Sequence, residues 1–201
     1  MKIFEEEFLE PILRLLRFNQ AIKYIEKNRP VVLLDLGCGS EIPFYFFAKK
    51  NKITFKKYIG IDPLIQKNLI DHLNKKKDIF LLRRKAVKKI PLPSSTVDFI
   101  GTFSFLEHIE NPKDIIKELL RILKPGGKII LTTPTPKAKK ILEFLSFKLK
   151  LISPREIAEH KNYFTKEDLF LLIPKSRKFN LKIIHQYFEL GLNNLLIIIK
   201  K

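Results

Sequence analysis

An aspartate and two glycines stand close together where a buried strand is expected to end. Residues Val31 to Leu36 are all apolar except Asp35, and the next three residues are Gly37, Cys38 and Gly39. Such a run is typical of a strand that is buried on both faces. Because glycine has no Cβ and tolerates positive φ, a Gly-x-Gly turn after a strand lets the backbone approach a ligand closely. Taken alone, the turn predicts only a nucleotide-like ligand.

The residues around this turn restrict the class of ligand further. A dinucleotide fingerprint would have a third glycine where this chain has Ile42, so nicotinamide chemistry is disfavoured. Asp35 can accept a hydrogen bond from a ligand ammonium, directly or through water. Asp62 closes a second apolar run about 20 residues past the turn, the position of a carboxylate that accepts both hydroxyls of a ribose. The alternative role for Asp62 is a helix N-cap with Pro63 at the first helical position, and the two roles are compatible.

Strand-like and helix-like segments alternate from Val31 onward, which predicts right-handed crossovers and a mainly parallel, doubly wound α/β sheet. The turn from Lys124 to Gly127 is expected to lead into the fifth strand. The predicted strands are Val31–Leu36, Lys57–Ile61, Ile79–Leu82, Thr96–Thr102 and Lys128–Thr133, and the helices between them are Pro43–Lys50, Leu64 to about Lys75, and Pro112–Leu123.

The end of the chain has a different pattern. Leu181–Phe188 and Leu195–Ile199 are strand-like, and the connection between them, Glu189–Asn194, is too short for a crossover helix. These two strands should therefore form an antiparallel hairpin. The predicted fold is a Rossmann-like, doubly wound seven-stranded sheet, mostly parallel, with a C-terminal antiparallel hairpin.

The chain length of 201 residues fits a single domain over residues 1–201. Within it we expect an N-terminal helical segment, in which Pro11 kinks the helix or starts a second one. The segment from Lys137 to Ile152 mixes lysines with apolar residues, so it could be a lid over the acceptor or a membrane-surface helix, with packing on the domain itself as the default. The expected divisions are 1–29 (helical segment), 30–135 (cofactor-binding core), 136–175 (candidate lid) and 176–201 (terminal hairpin).

Composition restricts the partners. The formal net charge of +18 attracts nucleic acid, anionic lipid or an acidic substrate, but the basic clusters are scattered, which favours lysines spread over solvated faces. A nucleic-acid partner is therefore compatible with the sequence and is not favoured. Cys38 is the single cysteine, which excludes an internal disulfide framework. With no signal peptide and no apolar run of ~20 residues, we expect a cytoplasmic protein without a transmembrane segment.

Several motifs occur in an order that resembles one family, the class I S-adenosylmethionine-dependent methyltransferases, and within it the small-molecule, methyltransferase type 11-like branch. The resemblance runs from about Val31 to the C-terminus. The motifs are Val32–Gly39, Tyr58–Asp62, Pro91–Asp98 before the fourth strand, Phe105–Pro112 after it, Glu118–Gly127 leading into the fifth strand, and His160–Leu169.

The resemblance implies S-adenosylmethionine as cofactor and a role for each matching position. Two departures from the family pattern are Glu41, where relatives often carry a small residue, and Ala86, where many carry an acid that accepts from the adenine amino group. The implied contacts are Gly37, Cys38 and Gly39 with the methionine and ribose parts, Asp35 with the amino-acid end, Asp62 with the ribose hydroxyls, Pro63, Ala86 and Val87 with the adenine, and the backbone of Thr102 and Phe103 with the methionine moiety.

The sulfonium group of S-adenosylmethionine is an activated methyl donor, so the enzyme mainly has to position the acceptor in line with it. A hydroxyl acceptor also benefits from a general base. His108, just past the fourth strand, is the predicted catalytic base, with a turn histidine that bonds backbone as the alternative. His160 is the second candidate, while His72 and His185 fall in helix and strand patterns and are expected to be structural. Because no cluster has metal-ligand spacing, we predict no metal.

Three functions are consistent with these motifs. The leading one is a methyltransferase acting on a small-molecule or glycan-type acceptor, the glycan being suggested by a loose resemblance of Phe188–Leu195 to relatives in surface-polysaccharide pathways. The second is an RNA methyltransferase, favoured by the charge. Against it, Phe103–Leu106 replaces the Asn/Asp-Pro-Pro-aromatic motif that grips a flipped base. The third is a non-catalytic cofactor-binding protein, which Glu41 and Ala86 would allow.

Overall fold

Seven strands form one sheet in the order β3-β2-β1-β4-β5-β7-β6. The computed structural model describes residues 9–85, 89–174 and 180–201. Strands β1 to β5 pair in parallel, whereas β7 pairs antiparallel with both β5 and β6, so the predicted fold is confirmed. The strands are β1 (Val31–Leu36), β2 (Phe55–Ile61), β3 (Ile79–Leu82), β4 (Val97–Phe103), β5 (Leu123–Pro134), β6 (Leu181–Phe188) and β7 (Asn193–Lys200).

The strand order reverses between β1 and β4. From β1 the chain moves outward to β2 and β3, and it then returns to place β4 on the other side of β1. In open α/β sheets, ligands bind beyond the carboxyl ends of the strands at such a reversal. The topology therefore puts the residues that follow β1, β2 and β4 at one edge.

Helices cover both faces of this sheet. Two 3₁₀ turns, Leu106–His108 and Glu189–Gly191, and a π-helical turn, Phe144–Lys148, complete the described elements. Among the described residues, no helix is long and apolar enough to cross a bilayer. The α-helices are α1 (Glu10–Ile22), α2 (Pro43–Lys50), α3 (Lys67–Leu73), α4 (Pro112–Ile122), α5 (Ala138–Glu143), α6 (Pro154–Ala158) and α7 (Lys166–Leu172).

Two hydrophobic cores lie on opposite faces of the sheet. Alternate residues of β1 divide between them, with Leu33 in the core formed with α1 and α2 and Leu34 in the core formed with α4 and α7. Because both faces are covered, β1 and β4 consist mostly of apolar residues. This explains why β1 and β4 are recognisable in the sequence as continuous apolar runs.

Some boundaries differ from those predicted. Strand β5 starts at Leu123, because Leu123 pairs with Val97 and the next pair is Lys128 with Phe99. The turn expected before β5 is therefore an irregularity within it. Helix α1 contains Pro11 in its first turn, so Pro11 lies at the start of a helix. Whether another helix precedes it concerns residues 1–8, which lie outside the described part. Within the candidate lid, α5 continues directly into the π-helical turn Phe144–Lys148, and α6 and α7 follow as separate short helices.

Candidate functional site

The glycine turn follows β1 at the edge selected by the topology. Its backbone is tied to β2, because Gly37 N donates to Ile61 O at 2.9 Å. Gly37 and Gly39 have φ of 78° and 73°, and Ile42, which precedes α2, has φ of 48°. A Cβ on Gly37 would lie 2.5 Å from Cδ2 of Phe105, a residue that the sequence motifs did not single out for contact with the turn. Only glycine fits there, because the Phe105 side chain fills the space that a Cβ would need.

Asp62 lies directly against this turn. Its Oδ2 accepts from Gly39 N at 3.0 Å, and its Oδ1 accepts from Leu64 N at 2.7 Å. Helix α3 begins only at Lys67, with Gln66 as its N-cap residue, so the N-cap alternative for Asp62 is wrong. Asp62 instead closes a turn of the kind in which an aspartate bonds the backbone two residues on. That turn explains why α3 is shorter than predicted.

Asp35 is buried beneath the turn. Its Oδ2 accepts from the Tyr58 hydroxyl at 2.5 Å, while no described residue bonds its Oδ1. Burial raises the pKa of Asp35 to about 7, the Tyr58 hydrogen bond opposes this rise, and the charge of Asp62 adds to it. A buried carboxylate oxygen without a partner is rare in native proteins, and a cationic ligand group would satisfy it. Tyr58 itself was missed by sequence reasoning, since only the pairing of β1 with β2 brings it to Asp35.

We expect stability to depend on pH through Asp35. Because its folded-state pKa of about 7 exceeds the ordinary 3.8, the folded chain retains between these values a proton that the unfolded chain has released. The free energy of unfolding should therefore fall as pH rises through this window and level off above it, by a few kcal/mol in order of magnitude. Urea titrations across the window, on wild type and Asp35→Asn, measure this dependence.

The nearby ionisable groups that act on the pKa of Asp35 are Tyr58 and Asp62, and Asp35 in turn acts on the pKa of Cys38. Asp35→Asn leaves these groups in place and removes only the carboxylate that titrates. The free energy of unfolding should therefore fall with pH in wild type and stay nearly constant in Asp35→Asn over the same window. Equal pH dependence in both proteins would show that Asp35 does not titrate in this range.

Three further predicted positions lie in or behind the same edge. Cys38 is buried, which raises the pKa of its thiol far above the ordinary value and keeps it protonated. Thr102 is fully buried, and its Oγ1 has no hydrogen-bond partner within the described ranges. The ring of Phe103 packs against Phe44, with ring centroids 4.7 Å apart, and against Phe18. The Phe103 side chain therefore belongs to the core, and the contact of its backbone with the methionine moiety stays a prediction.

The residues expected beside the adenine are partly described. A depression with about 190 Å³ of empty space lies beyond β1 and β2, between Leu36, Ile61 and Arg84. Pro63 follows β2, and its carbonyl accepts from Arg83 Nε at 3.1 Å. Ala86 and Val87 lie outside the described residues, so their contact with adenine stays a prediction.

Another depression, with about 260 Å³ of empty space, lies at the opposite edge of the sheet. It is lined by Val31 at the start of β1, by Asp98 at the start of β4 and by Arg29. None of the residues implied in cofactor binding lines it, and Asp98 is already paired with Lys124 at 2.9 Å. We therefore assign the ligand to the edge that carries the glycine turn.

Glu41, the first departure from the family pattern, is exposed. Its carboxylate accepts from Gln66 Nε2 at 3.3 Å, across the gap between the glycine turn and α3. The side chain therefore has a partner outside the sheet core.

The two candidate histidines meet beyond β4. Their rings are 4.9 Å apart between centroids, in an edge-to-face arrangement. His108 Nδ1 lies 3.2 Å from Glu159 O, and because a carbonyl only accepts, Nδ1 carries the hydrogen and Nε2 keeps the lone pair. Burial lowers the pKa of His108 and lowers that of His160 to about 4, so both rings are neutral at physiological pH.

The other two histidines lie elsewhere. His72 is exposed on α3, and His185 on β6 lies 2.9 Å from Asn194 Oδ1 through its Nε2. Neither is part of the edge that carries the turn.

Comparison with known proteins identifies the family. A model described as a methyltransferase domain matches residues 4–186. The chain belongs to this methyltransferase domain family. It is an S-adenosylmethionine-dependent methyltransferase domain, and the cofactor expected from the motifs is confirmed. The residues present fit that cofactor, because Gly39 has no atom closer than 3.9 Å where a Cβ would stand, Asp62 lies against the turn, and Asp35 Oδ1 is a buried acceptor without a described partner.

Three similar proteins illustrate the relationship. A ubiquinone biosynthesis O-methyltransferase of Photobacterium profundum is 25% identical over 146 residues, covering 72% of this chain and 62% of the relative. A tRNA U34 carboxymethyltransferase of Pseudoalteromonas atlantica is 32% identical over 111 residues, covering 53% and 32%. A Thermotoga maritima S-adenosylmethionine-dependent methyltransferase has a TM-score of 0.61 at 22% identity, covering 96% and 92%, and shows the shared fold. The chain spans 37% to 62% of the length of the first curated relatives.

Proposed function

We propose that the domain transfers the methyl group of S-adenosylmethionine to a hydroxyl of a small-molecule or glycan-type acceptor, and that His108 activates this hydroxyl. One observation carries the proposal. His108 is half-buried, keeps a lone pair on Nε2, and follows β4 at the edge where Asp62 lies against the glycine turn. The charge of Asp62 acts on His108, which is consistent with a short separation between the two.

The cofactor residues keep the roles implied by the motifs. The Gly37–Gly39 turn, with Cys38 between its glycines, would hold the methionine and ribose parts, and Asp62 would accept the ribose hydroxyls. Asp35 would face the ammonium, with Pro63 beside the adenine. The backbone of Thr102 and Phe103 would border the methionine moiety.

The bound cofactor supplies an activated methyl group, so the protein must mainly align acceptor and donor. Nε2 of His108 would take the hydroxyl proton as the oxygen attacks the methyl carbon. Residues 136–175 would close over the acceptor, which is supported by the contact of Glu159 and His160 with His108. A closed segment there would exclude water from the reacting atoms.

A second function has its own support. The net charge of +18 favours a polyanion, and one curated relative is named for an activity on tRNA. Residues Phe103–Leu106 after β4 still lack the motif that grips a flipped base. A small-molecule or glycan-type acceptor therefore remains the preferred proposal.

The acceptor class can be tested directly. Purified protein is incubated with methyl-labelled cofactor and cell extract that has been split and treated, or not treated, with ribonuclease. The proposal expects label in a small-molecule or glycan fraction that ribonuclease leaves unchanged. Label that is found in RNA and lost after ribonuclease treatment would favour the second function.

Replacement of His108 by alanine should lower kcat by about 10²- to 10⁴-fold, the usual contribution of a general base. Affinity for S-adenosylhomocysteine should stay within a few-fold, because His108 is not among the cofactor-binding positions. His72→Ala, which removes an exposed histidine on α3, is the matched control and should turn over normally. Normal turnover of His108→Ala would remove His108 from the mechanism.

A further inference from the structure

Glu107, His108 and His160 form a cluster that their positions in the sequence do not suggest. One carboxylate oxygen and one nitrogen of each imidazole all lie within 4.8 Å of one another. Glu107 and His108 belong to the 3₁₀ turn after β4, whereas His160 follows α6. Glu107 is fully buried, and both histidines are half-buried. The cluster lies beside the proposed acceptor site.

Hydrogen bonds hold the two segments together. Glu107 O accepts from Lys161 N at 2.9 Å and from Asn162 N at 3.1 Å. Asn162 Nδ2 also donates to Ile109 O at 2.9 Å, and Lys161 Nζ lies 2.6 Å from Glu110 Oε1. The two residues that follow His160 are thus fixed relative to the turn that carries Glu107 and His108. A cluster held in this way is pre-organised for a ligand.

Both imidazoles are oriented through their Nδ1 atoms. His108 Nδ1 donates to Glu159 O at 3.2 Å, and His160 Nδ1 lies 3.2 Å from Tyr163 Oη. The carbonyl partner leaves the lone pair of His108 on Nε2, and His160 has its lone pair on Nε2 in the tautomer in which Nδ1 donates to Tyr163 Oη. A histidine that binds a metal usually bonds a carbonyl or another oxygen through its other ring nitrogen, which fixes its tautomer and orientation. The cluster therefore has the outer hydrogen bonds of a metal site as well as three ligands.

We propose that Glu107, His108 and His160 bind a divalent transition-metal ion, for which Zn²⁺ is the probe. Two imidazoles and one carboxylate suit such an ion, whose bonds of about 2 Å set its tetrahedral ligands roughly 3.3 Å apart. Side-chain rotations that close the cluster by about 1.5 Å would reach that spacing. Three protein ligands leave at least one coordination position open, as in catalytic zinc sites. The sequence expectation of no metal depended on local spacing, which does not bring His160 to the other two residues.

For catalysis, the inference rests on the proposed function. An acceptor hydroxyl at the open position would have its pKa lowered by the ion and would lose its proton to solvent before residues 136–175 close over it. Its oxygen would then form a bond to the methyl carbon, the carbon–sulfur bond would break, and S-adenosylhomocysteine would leave. In this arrangement His108 is a metal ligand, and the ion replaces it as the group that activates the hydroxyl.

Calorimetric titration of the full chain, without a histidine tag, with Zn²⁺ and separately with Mn²⁺ tests the site. One saturable Zn²⁺ ion per chain is expected. His160→Ala and Glu107→Gln should weaken binding at least 100-fold, and Tyr163→Phe, which removes an outer hydrogen bond, by about 10- to 100-fold. The matched control, His72→Ala, should bind like wild type. Since buried Glu107 contributes to packing, His160→Ala and Tyr163→Phe decide the matter if Glu107→Gln does not fold.

Absence of saturable binding, or equal Zn²⁺ affinity in His160→Ala and wild type, would overturn the metal site. S-adenosylhomocysteine is titrated into the same samples, so that a protein that binds it but not Zn²⁺ refutes only the metal. A protein that binds Zn²⁺ but not S-adenosylhomocysteine refutes the proposed function instead. Turnover unchanged after removal of the ion by EDTA would overturn the catalytic part and return the role of base to His108.

Discussion

Asp62→Ala should weaken the binding of S-adenosylhomocysteine by about 100-fold. In the proposed site the carboxylate accepts both ribose hydroxyls, and hydrogen bonds to a charged group contribute roughly 1.5–3 kcal/mol each. The substitution also removes the acceptor of Gly39 N and Leu64 N, so the glycine turn loses a support. Calorimetric titration with S-adenosylhomocysteine measures the loss.

Asp71→Ala is the matched control for this change. Asp71 is an exposed aspartate on α3, and its removal changes the net charge by the same amount without touching the turn. Its affinity should equal that of wild type. If Asp62→Ala binds within about threefold of wild type while remaining folded, Asp62 does not hold the ribose.

Gly37→Ala should be the most destabilising of the glycine substitutions at positive φ. Its Cβ would lie 2.5 Å from Phe105 Cδ2, and its φ of 78° is strained for any residue with a side chain. Strain of about 1–3 kcal/mol adds to overpacking of similar size, so a loss of roughly 2–5 kcal/mol is expected. Urea unfolding measures this loss, and cofactor affinity should fall with it.

Gly126→Ala separates the two causes. Gly126 has the same φ of 78°, but a Cβ there would meet nothing within 4 Å. Gly126→Ala should therefore lower the free energy of unfolding only by the backbone strain of a side chain at positive φ, about 1–2 kcal/mol. An equal loss of unfolding free energy in both variants would mean that Phe105 moves aside freely and that its contact with Gly37 does not make the Gly37 substitution more destabilising. Partial recovery of Gly37→Ala by Phe105→Ala would support the clash.

Much of the sheet could be predicted because its signals are local. The central strands are buried on both faces, so β1 and β4 appear as apolar runs of the correct length. The boundaries that shifted depend on contacts made after folding. The hydrogen bond from Leu64 N to Asp62 forms a turn, so α3 begins later in the chain than predicted. The pairing of Leu123 with Val97 makes β5 begin before the turn that was expected to precede it.

The site was predictable to the extent that parallel strands end at one edge. Asp62 and Gly39 follow neighbouring parallel strands, and the structure joins them by a hydrogen bond of 3.0 Å. His160 belongs to a segment without strand register, and no local pattern connects it to Glu107. Ile42 shows a different limit. Its residue type argued against a nicotinamide, yet its φ of 48° keeps the left-handed conformation that a glycine would adopt.

A crystal structure of the chain with S-adenosylhomocysteine tests the central claim most directly. The account predicts the ribose hydroxyls on the Asp62 carboxylate, the amino-acid end near Gly37 and Asp35, and the sulfur facing the side of the site where His108 lies. A ligand bound at the opposite edge beside Asp98, or a ribose without contact to Asp62, would contradict it.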